Sequence, residues 1–478
     1  VASRWGLELK YAGRTFDLSD QVDVQLTASF SVFSGSLAEV SEVSLTLDLG
    51  IDIARAVEDG YDLSGATGVL SLDGERVLVG RAIKPVYGDP RQGSGLVALT
   101  LRESVIDDTA LHPGPLAKVD LTSWPDHDPN IRDRVYPEVF GSPGAGVCAG
   151  SPAYLLDYVN PADPQYALIA GHTVDAATVR IHNSTQEWVD TYDVLHVADG
   201  RGIAVAVVNL ISPANLVDEG DELWVEWSGG DARSGKAGDV LARLLSLSSL
   251  RIDPGRLDAA VQGLNDFALA GYYDERVSPL EYVGDNLLPI LPFTLSRDVD
   301  GLFPLVYSHK ITERDASFHL VVGPDCVPAS PVTYDGDPVT ELRLEYLPRA
   351  DTGEYLATAI ATEDDNDYAA TARLRYRGDA HDGRYSVEIS TDIVYDLATA
   401  DRIVAQHMER RALRARTTQY DLDRRVWGTL VRAGRFGTIT DPARAWTRKP
   451  CWVIARTDTS LGIGVTMLIK DELTRDMH

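Results

Sequence analysis

Leu287-Leu288-Pro289-Ile290-Leu291-Pro292-Phe293-Thr294-Leu295-Ser296-Arg297-Asp298-Val299-Asp300-Gly301-Leu302-Phe303-Pro304-Leu305-Val306-Tyr307 is the stretch on which the reading of this chain turns. It is apolar and punctuated by proline. Asp300-Gly301 stands between two apolar runs, and such a pair favours a two-residue hairpin turn because both residues can take positive φ. Three helical patterns lead in, over 239–250, 254–270 and 279–288. Val240, Leu241, Leu244 and Leu245 form one apolar stripe, and Leu257, Val261 and Leu264 repeat at i, i+4, i+7. Asp253-Pro254 reads as an N-cap with a first-turn proline. Ser278-Pro279-Leu280-Glu281 matches a capping box. The stretch offers no nucleophile or acid–base pair, and it reads as structural.

Working outward, 478 residues are enough for about three to four domains. The 44 Lys and Arg against 72 Asp and Glu leave a formal charge of −28. That balance argues against a general DNA or membrane-surface binder, which needs clustered cations. Cys148, Cys326 and Cys451 lie far apart, make no C-x-x-C pair, and read as free, buried thiols. Val1-Ala2-Ser3-Arg4-Trp5 opens no apolar core of signal-peptide length, and no apolar run reaches the ~20 residues of a membrane span. A soluble protein without a membrane anchor is expected.

Residues 1–117 alternate with period two at Trp5, Leu7, Leu9 and Tyr11, at Val22, Val24 and Leu26, and at Val43, Leu45, Leu47 and Leu49. Asp73-Gly74 marks a further hairpin, and Leu96–Leu101 another strand. Short strands at this spacing suggest a small barrel or sandwich. Residues 118–230 open with the break Trp124-Pro125-Asp126-His127-Asp128-Pro129 and then resume strands at 167–169, 178–181, 203–210 and 223–227. Residues 231–330 hold the helices and hairpin. Residues 331–478 return to strands around one helix over roughly 397–416, capped by Asp396 or Thr399, with Val404, Met408 and Ala412 on one face. Strands are expected after it at 427–431, 437–440, 451–456 and 464–469. The fold class is therefore mainly β (α+β) and multi-domain, and the two end units match in pattern without a sequence repeat.

Catalytic signatures are missing: there is no G-x-x-x-x-G-K-[ST], H-E-x-x-H or G-x-S-x-G. Gly141–Gly146 reads as a Pro-Gly turn. Asp325-Cys326 opens like a cell-wall peptidase, but Val327, Pro328 and Pro331 preclude the helix such a cysteine needs. Glu363, Asp364, Asp365 and Asp367 could offer oxygen ligands to calcium, yet lack the glycine and distal glutamate of an EF-hand loop. Asp126, His127 and Asp128 form a weaker cluster. His172, His182 and His196 lack ligand spacing. Trp124, Trp188, Trp224 and Trp227 are the aromatics a glycan-binding surface would use. Arg410, Arg411, Arg414 and Arg416 crowd the end of the 397–416 helix, where cations suit the dipole. They are candidate subunit-contact or channel-facing residues, and no interleaved aromatics suggest base stacking.

Three segments carry a resemblance: Gly238-Asp239-Val240-Leu241 through Tyr307, Tyr136-Pro137-Glu138-Val139-Phe140-Gly141, and Ala167-Leu168-Ile169-Ala170-Gly171-His172. Their order resembles the tail-tip (baseplate) hub proteins of long-tailed siphovirus-type bacteriophages. The resemblance implies two small β-barrel hub domains at 1–117 and 331–478, a β-rich second domain at 118–230, and a mixed domain at 231–330. It implies a homotrimer forming a pseudo-sixfold ring, which joins a sixfold tail tube to a threefold tip and encloses the DNA-ejection channel. The implied partners are the distal tail protein, the C-terminus of the tape-measure protein, a further hub or central fibre protein, and genomic DNA in passage. No cofactor or catalytic residue is implied, and the location is the tail tip of the virion. Large, partly apolar subunit interfaces are expected over 1–117 and 420–478. A receptor- or carbohydrate-binding tip module is the alternative, and a cell-wall hydrolase a more distant one.

Overall fold

The computed structural model describes residues 5–11, 14–17, 19, 28–31, 42–48, 63–72, 75–87, 96–103, 111–127, 129–143, 150–156, 165–183, 192–210, 223–227, 233–248, 252–298, 301–306, 316–335, 339–349, 352–364, 369–370, 373–374, 383–412, 415–458 and 462–469. Val22, Val24 and Leu26 lie outside them.

The first seven strands are β1 (Trp5–Tyr11), β2 (Arg14–Asp17), β3 (Ala28–Ser31), β4 (Glu42–Asp48), β5 (Thr67–Leu72), β6 (Glu75–Tyr87) and β7 (Leu96–Glu103). Six of them form an antiparallel sheet in the order β2-β1-β5-β6-β7-β4. Leu72 pairs with Glu75, so Asp73-Gly74 is the two-residue connection expected. Period-two alternation does the folding work here. Leu7, Leu9, Val43, Leu45, Leu47, Leu70, Leu78, Val97, Leu99 and Leu101 are all buried in one cluster, while Glu8 and Lys10 face out. A single inner face gathered this tightly needs a curled sheet. The register shift between Ile83 and Val86 supplies a bend in the long strand β6.

The second unit contains β8 (Glu138–Phe140), β9 (Ser151–Leu155), β10 (Gln165–Ala170), β11 (Arg180–Asn183), β12 (Tyr192–Ala198), β13 (Ala204–Leu210) and β14 (Leu223–Glu226). Its sheet runs β11-β14-β9-β10-β13-β12. Strand β13, second from the edge, buries both faces: Ala206, Val208 and Leu210 enter one core, Val205 and Val207 the other. That is why 203–208 is continuously apolar rather than alternating.

The third unit follows the capping signals. Helix α1 spans Ala237–Leu247 and α2 spans Pro254–Leu264. Asp253 Oδ1 accepts from the amides of Gly255 at 3.0 Å and Arg256 at 3.2 Å, as an N-cap should. The helix stops at Leu264 instead of reaching 270, and β15 (Gly271–Tyr273) follows. Ser278 Oγ accepts from the Glu281 amide and starts α3 (Pro279–Tyr282), which runs on as a π-turn over Val283–Leu287. Strands β16 (Phe293–Asp298) and β17 (Gly301–Val306) form the hairpin. Asp298 pairs with Gly301, so the connection is Val299-Asp300, one residue earlier than expected, and Gly301 begins the returning strand.

The last unit holds β18 (His319–Val321), β19 (Cys326–Pro328), β20 (Thr333–Asp335), β21 (Glu341–Pro348), β22 (Tyr355–Thr362), β23 (Ser386–Ser390), α4 (Leu397–Arg411), β24 (Ala415–Leu422), the one-turn helix α5 (Arg424–Trp427), β25 (Phe436–Asp441), β26 (Trp446–Asp458) and β27 (Ile463–Ile469). The strand expected at 427–431 is a helical turn and its exit, because Asp423 accepts from the Arg425 amide at 2.9 Å and caps it. The main sheet runs β18-β25-β26-β27-β24-β19, with β20 also on β24. Strand β3 joins this sheet too: Ser31, Phe30, Ser29 and Ala28 pair with Ala455, Arg456, Thr457 and Asp458. The first unit thus contributes a strand to the last.

The chain is mainly β, in several curled half-barrel sheets. Among the described residues, the largest core cluster crosses residue 330: Leu241, Leu245, Leu264, Leu287, Leu291, Phe293 and Leu302 share it with Leu342, Leu344, Val404 and Met408. Helix α4 and strands β21 and β22 therefore pack with the hairpin unit. Asp396 Oδ1 accepts from the Thr399 amide at 2.9 Å, and Thr399 Oγ1 accepts from the Ala268 amide at 3.1 Å. Asp396→Ala is expected to cost about 1 kcal/mol, read by chemical denaturation.

Candidate functional site

A dense buried electrostatic centre lies among the described residues where the second and third units meet. Strand β8 pairs with β15, setting Glu138 opposite Tyr273. Glu138 is 5% exposed. Arg243, from α1, donates to its Oε2; Arg233 Nε lies 3.6 Å from the same oxygen, and His112 Nε2 lies 3.3 Å from Oε1. Burial by itself would raise the Glu138 carboxyl. The His112 contact and the Arg243 charge outweigh it and hold the group down at about 2. Burial pushes the Tyr273 hydroxyl well above its ordinary value, and lowers His172. The Val139 amide donates to His172 Nε2 at 3.2 Å, and Nδ1 lies 2.8 Å from the Thr173 carbonyl, so this histidine fastens the turn as a neutral ring. A cavity of about 140 Å³ beside the centre is lined by Phe140, Arg233, Asp239, Arg243 and Tyr273, among others. A carboxylate ionised this firmly has no proton to give and little basicity. The centre is a charge lock between units, without the paired acid and base of a hydrolase. Gly141 beside it has φ 68°, and an added Cβ would lie 2.0 Å from the Leu269 carbonyl. Sequence reading placed Glu138 in a motif without a role; the available signal was a lone carboxylate preceding apolar Val139 and Phe140.

A second buried ionic group ties the last sheet to α5. Asp458, 2% exposed, accepts from Arg424, and also from Arg456 Nε at 2.9 Å and Nη2 at 2.7 Å. Arg456 Nη1 donates to the carbonyls of Gly428 at 2.6 Å and Val431 at 2.9 Å.

The arginines expected to form one patch do not share one helix. Helix α4 ends at Arg411. Arg410 lies in its last turn with a side chain outside the description, and Arg414 lies outside the described residues. Arg411 is exposed, and its carbonyl accepts from the Val339 amide at 2.9 Å. Arg416 belongs to β24, opposite Tyr334 and Ile469, with its guanidinium 5.8 Å from the Trp446 ring centroid. The chain leaves the helix here because β24 must pair with β27 over Arg416–Leu422.

In the acidic cluster, Asp365 and Asp367 lie outside the described residues. Asp364 is bound by Arg373 at 2.7 Å and Arg384 at 2.9 Å, and Arg384 continues to Glu341 at 3.4 Å. Its oxygens face guanidinium groups, and among the described residues no cluster of three or more metal-ligating side chains occurs. Asp126 is exposed, His127 bonds the Trp124 carbonyl at 2.6 Å, and Asp128 lies outside the described residues. Trp227 is 2% exposed and donates to the Phe140 carbonyl; Trp124 donates to the Tyr136 hydroxyl, which donates in turn to Asp199. Trp224 is half-buried, and Trp188 lies outside the described residues. His182 sits on β11 and His196 on β12, where it accepts from the Val174 amide.

Cys326 lies in strand β19, and burial pushes its thiol up to about 12. Cys451 is buried and raised likewise, and Cys148 lies outside the described residues. Peptide mapping after iodoacetamide treatment of the native protein at neutral pH is expected to find Cys326 and Cys451 unmodified, and both modified once the chain is unfolded.

Among the described residues, no helix is long and apolar enough to cross a membrane. No family model matches the chain, and no curated protein sequence matches it. Among solved structures, the chain is similar to the tail protein from Neisseria meningitidis MC58, at 10% identity and a TM-score of 0.42 over 98% of this chain and 97% of that one. It is similar to the 43 kDa tail protein of prophage MuSo2 from Shewanella oneidensis, at 11% identity and a TM-score of 0.42 over 98% and 96%. It is also similar to a chain of the native gene transfer agent virion, at 13% identity and a TM-score of 0.47 over 71% and 85%. The first two of these structures, matched over 98% of this chain, are tail proteins.

Proposed function

We propose that this chain is the structural hub of a phage tail tip. Three copies form a ring that joins the sixfold tail tube to the threefold tip and encloses the DNA-ejection channel. The distal tail protein, the end of the tape-measure protein and a further hub or fibre protein are its neighbours, and catalysis is not part of its role. The reading starts from the order of the sequence motifs. One observation carries it furthest: β3 of the first curled sheet is hydrogen-bonded into the last one. Two such sheets, bound as one piece in each chain, are what a threefold ring needs to present six similar units. We propose four packing units, with 1–117 and 118–230 as read from sequence, residues 339–412 packing with the hairpin unit of 231–330, and the remaining strands of 331–478 forming the closing hub sheet.

Light scattering over a concentration series, with negative-stain images of the same sample, tests this. A threefold ring with a central hole is expected, alone or after addition of the distal tail protein. A monomer that persists with that partner present would overturn the reading.

A further inference from the structure

The sheet edges of this chain differ in how they are protected. Edge strands β4, β12, β16 and β23 carry Asp48, Asp193, Arg297 and Glu388, and β17 carries Pro304. Charge and proline are usual means of keeping an edge from pairing with another chain. Strand β22 (Tyr355–Thr362) lies at the edge of the sheet β22-β21-β23 and has neither. Its eight residues hold one register against β21.

The Glu363 amide donates to the Thr340 carbonyl, and the Thr391 amide to the Glu345 carbonyl, which fixes the alternation of the ladder. Ala357, Ala359 and Ala361 bond toward β21. The backbone groups of Leu356, Thr358, Ile360 and Thr362 point to the open side, where no strand among the described residues pairs with them. Their side chains are exposed too, Leu356 by 46% and Ile360 by 49%. The alanines lie on the opposite face, against α4, and Ala359 is buried in one cluster with Ile403 and Val404.

We infer that two copies of the chain pair along β22, antiparallel about Ala359, so that two three-stranded sheets become one continuous sheet. Three features select a second copy. About this centre Leu356 of one copy faces Thr362 of the other, and Thr358 faces Ile360. Every outward amide then meets an outward carbonyl, which gives about eight new hydrogen bonds. An uncharged strand can also lie against its own copy without opposing like charges, which destabilise directly facing pairs. Just past the strand ends the same register sets Glu354 opposite Asp364, whose carboxylate Arg373 and Arg384 already hold. Lastly, alanine on the helix side leaves room at the join for the α4 helix of each copy. The contact is twofold and self-complementary, and it is separate from the threefold contacts of the ring. It covers, before the tail is assembled, an edge that would otherwise recruit other chains.

Two double variants of the full chain test it by sedimentation equilibrium over a concentration series. Thr358→Lys/Ile360→Lys sets lysine against lysine across the join. Thr358→Glu/Ile360→Lys sets glutamate against lysine. Both replace the same two exposed side chains, so melting temperatures close to wild type are expected for each. Wild type is expected to dimerise, or to form rings stacked in pairs where it forms rings alone. The lysine pair should weaken that association roughly tenfold or more, and the glutamate–lysine pair should keep most of it. Wild-type pairing should change little with salt, since no ion pair holds it. A wild type found only as monomers or single rings would overturn this inference and leave the hub reading standing. So would pairing that survives in the lysine variant. Binding of the distal tail protein lost in the lysine variant, with self-association intact, would overturn it too, since the edge would then serve another tail protein. Pairing through β22 without a ring, even with the tail partners present, would overturn the hub reading alone.

Discussion

Asp458→Ala is expected to destabilise the protein by about 3–5 kcal/mol, the usual effect of removing one member of a buried charge group. Asp458 is the carboxylate that Arg424 and Arg456 share, and all three side chains are under a tenth exposed. Without it, two guanidinium groups remain in a place that water does not reach. Three things should loosen together: the α5 turn, the carbonyls at Gly428 and Val431, and the pairing of Asp458 with Ala28 in β3. Denaturant titration gives the size of the loss. Hydrogen exchange should locate it at 424–435 and 28–31, with the second unit unaffected. Asp458→Asn restores shape without charge and should fall between the two. An Ala variant within 1 kcal/mol of wild type would mean the three charges are solvated in solution.

Glu138→Gln should cost a comparable amount, and its effect should depend on pH. The folded carboxyl sits at about 2, below its ordinary 4.5. The folded state therefore favours the ionised form, and the stabilisation is complete above about pH 4.5. It fades as pH falls from there toward 2, where the carboxyl protonates in both states. A depression of this size corresponds to something on the order of 3 kcal/mol. Wild type and variant should thus differ most at neutral pH and converge as the solution is acidified. Parallel stability curves across that window would show that the carboxylate charge does not fasten the units together.

Much of the fold is legible in the sequence because it rests on local physics. Alternation at Leu7 and Leu9 or at Val43, Leu45 and Leu47 states which face is inside, and Asp253, Ser278 and Asp396 start the helices they mark. Ends are less legible, since they depend on distant partners. Helix α4 stops at Arg411, where the alternative is a strand against β27, and Gly301 leaves its turn to pair with Asp298. The charge centres were the least legible. Glu138 meets Arg243, and Arg424 meets Asp458, across gaps of 105 and 34 residues that periodicity does not report. The acidic cluster reads as a ligand set until the fold brings Arg373 and Arg384 to Asp364.

The pairing of β3 with β26 also sets a schedule for making the protein. Ala28–Ser31 is translated long before Ala455–Asp458. Closing so long a loop is slow and entropically costly, so this contact should form late in folding. Until β26 leaves the ribosome, the edge of β3 that pairs with it stays open. A chain cut short before β26 would keep that edge open, available to other chains, and truncated products should aggregate rather than assemble.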